Sequence, residues 1–170
     1  KGKTMVFADG VTEAIINPGV SIGGGSGGIN GGGGTAEINI SGGTIKTGDV
    51  QWMTAASGII HKESFSAEFA KNGGRFEMLQ LWVNLPAKDK MNPPRYQSLS
   101  YASIPKVALD NEAGYVRVIA GHYQRHVGPA QTHSPMQVFD VFVKKGHTVQ
   151  LPAKSGDTTL LYMRTGQAQF

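Results

Sequence analysis

Residues 48–63 read GDVQWMTAASGIIHKE, and this stretch decides the fold predicted for the chain. It opens on a Gly-Asp turn, passes through a short apolar segment and turns again on small residues. If residues 59–63 are extended, successive side chains alternate between two faces, so His61 and Glu63 point the same way. A neutral imidazole and a carboxylate on one face can both ligate a divalent iron or a similar ion. The same sequence is also compatible with His61 and Glu63 as two solvated surface residues, because H-x-E on a strand is a weak signal.

A second stretch, residues 79–97, reads LQLWVNLPAKDKMNPPRYQ. Together, residues 48–63 and 79–97 closely resemble the pirin family of the cupin superfamily. The weaker pattern VRVIAG at residues 116–121, followed by GPA at 128–130, resembles the start of a pirin second domain. The resemblance covers about three quarters of the chain, from residue 42 to residue 170.

The resemblance implies an all-β protein, with a cupin (jelly-roll-like) barrel and a partial or truncated second cupin-like domain. We expect the N-terminal cupin barrel at residues 1–86, a linker at 87–114 and the partial C-terminal cupin-like domain at 115–170. Prolines between residues 86 and 105 predict irregular connecting chain there. Apolar patterning predicts strands at 4–8, 11–16, 36–40, 44–45, 50–53, 59–61, 76–85, 115–123, 136–145, 148–151 and 159–169. Asp9-Gly10 predicts a hairpin between the first two.

The resemblance also implies a function. Pirin-like proteins are cupins with an Fe(II)-type centre of three His and one Glu, and several cleave quercetin-like flavonols with O2. Residue by residue, His61 matches a metal ligand, and Glu63 matches a ligand that also accepts the flavonol hydroxyl proton. The expected cofactor is Fe(II) or another divalent transition metal, and the expected substrate is a small aromatic molecule. The alternative is a non-catalytic pirin-like regulatory protein that binds a transcription factor or a metabolic enzyme. A third hypothesis is the binding of a carbohydrate or another small ligand in an empty cupin barrel, and it rests on fold analogy alone.

Residues 17–34 depart from the family pattern. They are rich in glycine, which by composition indicates a flexible linker. Counting back from residue 42 places Asn17-Pro18-Gly19 where the family has an H-P-H pair that supplies two metal ligands. Three explanations stay open: the metal site has degenerated, it has been altered deliberately, or the glycines stand for side chains that were not identified.

Composition excludes several classes of protein. The absence of cysteine excludes disulfides, thiolate metal sites and a cysteine nucleophile. The net charge is +4, but no stripe of Lys and Arg is interleaved with aromatics, so direct nucleic-acid binding is not expected. No apolar run approaches the roughly 20 residues that cross a bilayer, so no membrane partner is expected. We expect a cytoplasmic protein, or a nuclear one in a eukaryote.

Two further groups of residues have structural interpretations. Trp52 and Trp82 are expected to pack in the core rather than to stack on a substrate. His122 and His126 flank a predicted strand end and are expected to be solvated rather than to form a second metal site. No Ser-His-Asp order, phosphate-binding loop or paired-carboxylate signature is present.

Overall fold

The computed structural model of the chain describes residues 3–8, 14–16, 38–40, 43–58, 63–73 and 76–169. These residues form mainly β-strands, with one short helix, α1 (Ala67–Asn72), and three single turns of 3-10 helix. The strands are β1 (Lys3–Ala8), β2 (Ala14–Ile16), β3 (Ile38–Ile40), β4 (Gly43–Ile45), β5 (Val50–Thr54), β6 (Glu63–Phe65), β7 (Met78–Gln80), β8 (Arg95–Leu99), β9 (Lys106–Ala108), β10 (Gly114–Ala120), β11 (His122–Tyr123), β12 (His126–Val127), β13 (Met136–Val143) and β14 (Thr158–Met163).

The chain divides into two compact units. Residues Thr12–Tyr101 form one unit, and residues Lys1–Val11 with Ala102–Phe170 form the other. The N-terminal strand therefore belongs with the C-terminal half of the chain. The predicted domain limits at residues 86 and 115 remain a prediction.

The unit Thr12–Tyr101 contains two sheets among its described residues. One has the strand order β7-β2-β5-β8, in which β2 runs parallel to β5 and β7 and β5 runs antiparallel to β8. The other has the order β4-β3-β6, with both pairs antiparallel. All five residues of β5 are buried, so this strand is covered on both faces. Its mostly apolar sequence suits that position.

The other unit is built on a five-stranded sheet with the order β14-β1-β13-β10-β9. Strand β1 is parallel to both of its neighbours, whereas β10 is antiparallel to β13 and β9. Alternate residues of the central strands form the core, in which Val116, Val118, Phe139 and Val141 are buried. Apolar residues at every second position of β10 and β13 place one face of the sheet in this core.

Several strand predictions are confirmed, and others are wrong. Strand β7 covers Met78–Gln80 of the predicted 76–85, and these three residues pair with the described residues Ala14–Ile16 of β2. Arg95–Leu99 is a strand rather than connecting chain, because it pairs with Val50–Thr54. Residues 148–151 are irregular. The predicted hairpin at residues 9–10 is wrong, since the strands before and after it lie in different sheets.

Helix α1 was not predicted from the sequence. The hydroxyl of Ser66 accepts a hydrogen bond from the Phe69 amide at 3.1 Å and caps its first turn. Ser is a preferred residue at this position because its side chain satisfies an amide that has no partner within the helix. Gly73, with φ 65°, follows the last turn. No helix in the described ranges is both long enough and apolar enough to cross a membrane.

Candidate functional site

The turn before β5 is held by the Asp49 carboxylate. Its Oδ2 atom accepts a hydrogen bond from the Lys46 amide at 2.9 Å, and its Oδ1 atom accepts one from the Tyr101 amide at 2.7 Å. Gly48 adopts φ 78°, a conformation that favours glycine. The Gly-Asp pair that opens the diagnostic stretch therefore has a structural role: it joins the start of β5 to the chain that follows β8.

The turn after β5 leads to the predicted metal ligands. The Gly58 amide donates to the Ala55 carbonyl at 2.8 Å, and the Ser57 amide donates to the Asn92 carbonyl at 3.1 Å. Ala56 and Gly58 have φ values of 42° and 125°, so small residues suit this reversal. The turn is thus attached to the loop before β8, and the chain enters the H-x-E segment from a fixed point.

The assignment of His61 and Glu63 as metal ligands stays a prediction. His61 lies outside the described residues. The backbone of Glu63 begins β6, where it pairs with Ile40 of β3. Asn17, Pro18 and Gly19 also lie outside the described ranges.

The described residues do not make up a complete metal site. Within the part of the chain that the structure describes, no group of three or more His, Cys, Asp or Glu residues could hold a metal ion. His61 and Glu63 alone provide two ligands, whereas a catalytic metal site commonly has three from the protein. At residues 17–19 the sequence has no imidazole to add. An ion bound only by this pair would be weakly held and poorly oriented.

His122 and His126 do not converge on a second site. In the ribbon of β11 and β12, His126 lies opposite Tyr123 and His122 lies opposite Val127. Directly paired residues share a face, so the two imidazoles lie on opposite faces of the ribbon. His122 is exposed as predicted, but His126 is only partly exposed, and its Nδ1 atom is buried.

The two tryptophans have different environments. Trp52 is 8% exposed and packs in the core, which confirms the prediction for this residue. Trp82 is 64% exposed, so the prediction that it packs in the core is wrong. The physical reason is that β7 ends at Gln80, before the chain reaches Trp82.

Gln51 was not singled out from the sequence. It is 1% exposed, and neither Oε1 nor Nε2 of its side chain has a hydrogen-bond partner among the described residues. Buried polar groups are nearly always hydrogen-bonded, so this amide is unusual. The available signal was a polar residue within the run Val50-Gln51-Trp52-Met53, in which the other residues are apolar.

The region around β5 and the H-x-E segment is similar to known proteins. The family model described as Pirin matches residues 38–83, which include β5 and the H-x-E segment. Over 122 residues, 57% are identical to a Pseudomonas aeruginosa protein named "Putative quercetin 2,3-dioxygenase", with 72% of this chain and 43% of the relative covered. The resemblance to the pirin family predicted from the sequence is confirmed.

Other pirin-family relatives agree with this assignment. Human pirin is 36% identical over 119 residues, which cover 70% of this chain and 39% of human pirin. The crystal structure of quercetin 2,3-dioxygenase from Acinetobacter baumannii is 52% identical with a TM-score of 0.57. That comparison covers 64% of this chain and 38% of the crystallised chain. The chain thus spans about two fifths of the length of these relatives.

The predicted fold class is confirmed. The described residues are mostly strands, and the structural similarity supports an all-β cupin with a partial second cupin-like domain.

Proposed function

We propose that this pirin-like cupin is a dioxygenase that cleaves quercetin-type flavonols with O2. The observation that carries the proposal is the 57% identity to the Pseudomonas aeruginosa protein named for this activity. The 52% identity to the crystallised quercetin 2,3-dioxygenase supports the same substrate class. Its cofactor would be Fe(II) or another divalent transition metal.

Within this proposal, His61 and Glu63 have assigned roles. His61 and Glu63 are proposed metal ligands, and Glu63 also accepts the proton of the flavonol 3-hydroxyl. A carboxylate can act as a general base if it lies within hydrogen-bond reach of that hydroxyl. Because two ligands do not complete a metal site, the first question for experiment is whether the protein holds a metal at all.

Metal analysis and turnover test the proposal together. The protein is purified, its iron, manganese, nickel and zinc contents are measured, and quercetin loss and O2 uptake are followed after loading with each ion. Bound metal and turnover in the wild-type protein, with loss of both in His61→Ala, would support the proposal. In Glu63→Gln, turnover is expected to fall by about 100-fold or more, in the range lost with a general base. The matched control is His147→Ala, which removes an exposed imidazole from the other unit. No bound metal and no turnover after loading would refute the proposal.

A second function is favoured by the sequence Asn17-Pro18-Gly19 in place of the H-P-H pair. Loss of two ligands leaves the pirin fold available as a non-catalytic partner of a transcription factor or a metabolic enzyme. A metal bound to the native state stabilises it, so a chelator lowers the Tm of a metal holoprotein. An unchanged Tm with EDTA, together with absence of turnover, supports the non-catalytic function. A lower Tm with EDTA supports the metal-dependent one.

A further inference from the structure

Strand β14 (Thr158–Met163) forms one outer edge of the five-stranded sheet. It pairs with β1 on its inner side, and no other described strand pairs with its outer side. The outer strand of a sheet presents a row of backbone N–H and C=O groups that can pair with another chain. Natural proteins commonly protect such a strand by keeping it short or by placing a charged residue or a proline in it.

Strand β14 differs from the other outer strands of the three larger sheets in the described part of the chain. Strands β4, β6, β7 and β9 have three residues each, and β8 has five residues, one of which is Arg95. Strand β14 has six residues, Thr-Thr-Leu-Leu-Tyr-Met, with neither a charge nor a proline. Uncharged segments of this length that contain β-branched and aromatic residues pair readily with other strands. Of these outer strands, β14 is therefore the least protected against pairing.

The side chains of β14 are also suited to a neighbouring strand. Leu160 is 51% exposed and Tyr162 is 48% exposed, and both lie on one face of the strand because side chains alternate. Leu161 lies on the other face, where it packs against the core cluster that contains Phe139. A strand added beside β14 would cover part of Leu160 and Tyr162 on one face and extend the core side on the other.

The sequence of β14 is complementary to itself when two copies run antiparallel. With Leu161 on the two-fold axis, Leu160 of one copy lies directly opposite Tyr162 of the other, and this pair occurs twice. Directly opposed apolar and aromatic side chains stabilise antiparallel strands. The same contact therefore covers both of the exposed apolar side chains that each copy presents on β14.

The charges that flank β14 favour the same arrangement. Asp157 precedes the strand and Arg164 follows it. Antiparallel pairing brings the Asp157 end of one copy to the Arg164 end of the other, whereas parallel pairing would bring like charges together. Like charges directly opposite each other destabilise paired strands.

We propose that β14 is a self-association edge, through which two copies of this chain pair in antiparallel fashion and join their five-stranded sheets into one continuous sheet. Each copy contributes the same strand, so the contact is isologous and closes at two copies. One pair of six-residue strands makes a small interface, so the dimer is reversible and depends on protein concentration. The inference is independent of the proposed dioxygenase activity.

Sedimentation equilibrium of the full chain tests whether this edge associates. The wild-type protein should show a reversible monomer–dimer equilibrium. Leu160→Lys places a charge in the edge, twice in each dimer, and should raise the dissociation constant about tenfold or more. The matched control is Val127→Lys, at a 70% exposed position of the same unit, which should change this constant by less than about twofold. A wild-type protein that stays monomeric at about millimolar concentration, or equal constants in the two variants, would overturn the proposal.

Disulfide cross-linking tests the register, and it also decides the question if Leu160→Lys does not fold. Because the chain has no cysteine, a single introduced cysteine can form a disulfide only with another copy. Directly opposed residues of antiparallel strands have Cα atoms about 4.5–5.5 Å apart, a distance that a disulfide spans. Oxidation of a mixture of Leu160→Cys and Tyr162→Cys should therefore yield more dimer than oxidation of either variant alone. Yields no higher than those of Val127→Cys would overturn the pairing, and a higher yield for Leu160→Cys alone would overturn the register.

An acidic extended segment of another protein is the competing occupant of this edge. The unit that contains β14 has nine Lys and Arg residues against five Asp and Glu residues. Added salt screens the repulsion between two such units and should strengthen the dimer, whereas it weakens the binding of an acidic peptide. The probe is a synthetic peptide in which Glu alternates with Val. A monomeric wild-type protein that binds this peptide, and loses the binding in Leu160→Lys, would assign the edge to an acidic partner and overturn self-association.

Discussion

Asp140 is the residue at which a single-atom change should have the largest effect on the unit that contains Ala102–Phe170. Its Oδ2 atom lies 2.9 Å from Arg117 Nη1, and its Oδ1 atom lies 3.8 Å from Arg164 Nη1. The side chains of Arg117 and Arg164 are only 6% and 2% exposed. Asp140→Asn preserves the shape of the side chain but removes the negative charge that both guanidinium groups approach.

The expected loss follows from the burial of these charges. Removing one partner of a buried ion pair costs about 3–5 kcal/mol, because the remaining charge stays in a medium that solvates it poorly. An asparagine oxygen can still accept one hydrogen bond from Arg117, so we expect the lower end, about 3 kcal/mol. At about 1.4 kcal/mol for each factor of ten, this corresponds to a change of roughly 100-fold in the opening equilibrium.

Amide hydrogen exchange is the suitable assay, because both tryptophans, Trp52 and Trp82, belong to the other unit. The Val118 amide donates to the Pro105 carbonyl at 2.9 Å, and Val118 lies in the core of the sheet next to Arg117. Its exchange should accelerate roughly 100-fold in Asp140→Asn, in proportion to the opening equilibrium. The matched control is Asp110→Asn, at an exposed position. In this variant the exchange rate of the Val118 amide should change by less than about threefold.

A triple variant separates the ion pair from simple loss of packing. Replacing all members of a buried ion pair or triad by apolar residues is often neutral or stabilising, so Arg117→Met and Arg164→Met combined with Asp140→Leu should recover part of the loss. An acceleration of less than about fivefold in Asp140→Asn would refute the reasoning, because it would mean that these charges are effectively solvated.

Two further predictions concern backbone packing and helix capping. Gly128→Ala should lower the free energy of unfolding by about 2 kcal/mol or more, because an added Cβ would lie 2.5 Å from the carbonyl carbon and oxygen of Ile119. Gly156→Ala, whose Cβ would have open space at φ 86°, should cost only about 1–2 kcal/mol, and urea denaturation compares the two. An equal loss in both variants would contradict the close approach at Gly128. Ser66→Ala should cost about 1 kcal/mol, because it removes the cap of the Phe69 amide, and faster exchange of that amide than in Ser57→Ala would confirm it. Equal exchange rates in Ser66→Ala and the wild type would contradict the cap.

The family resemblance could be predicted from the sequence, but the surroundings of β5 could not. The resemblance carried by residues 48–63 and 79–97 was enough to predict the family, and the comparisons confirm it. The role of Asp49 was missed, because its partner Tyr101 lies 52 residues away in the chain. The burial of the Gln51 amide was also missed, because a buried polar group without a partner among the described residues is recognised only when the surroundings of its two polar atoms are known.

The sequence by itself determined the family, the all-β class and the positions of strands such as β5, β10 and β13. Their apolar residues recur with the period of a strand, and this local property needs no partner to be recognised. The tertiary structure decided which other segments became strands. Residues 95–99 are extended because Val50–Thr54 pairs with them, and Met78–Gln80 of β7 pairs with the described residues Ala14–Ile16 of β2. Strand pairing depends on hydrogen bonds between segments distant in the chain, so it cannot be read from either segment alone.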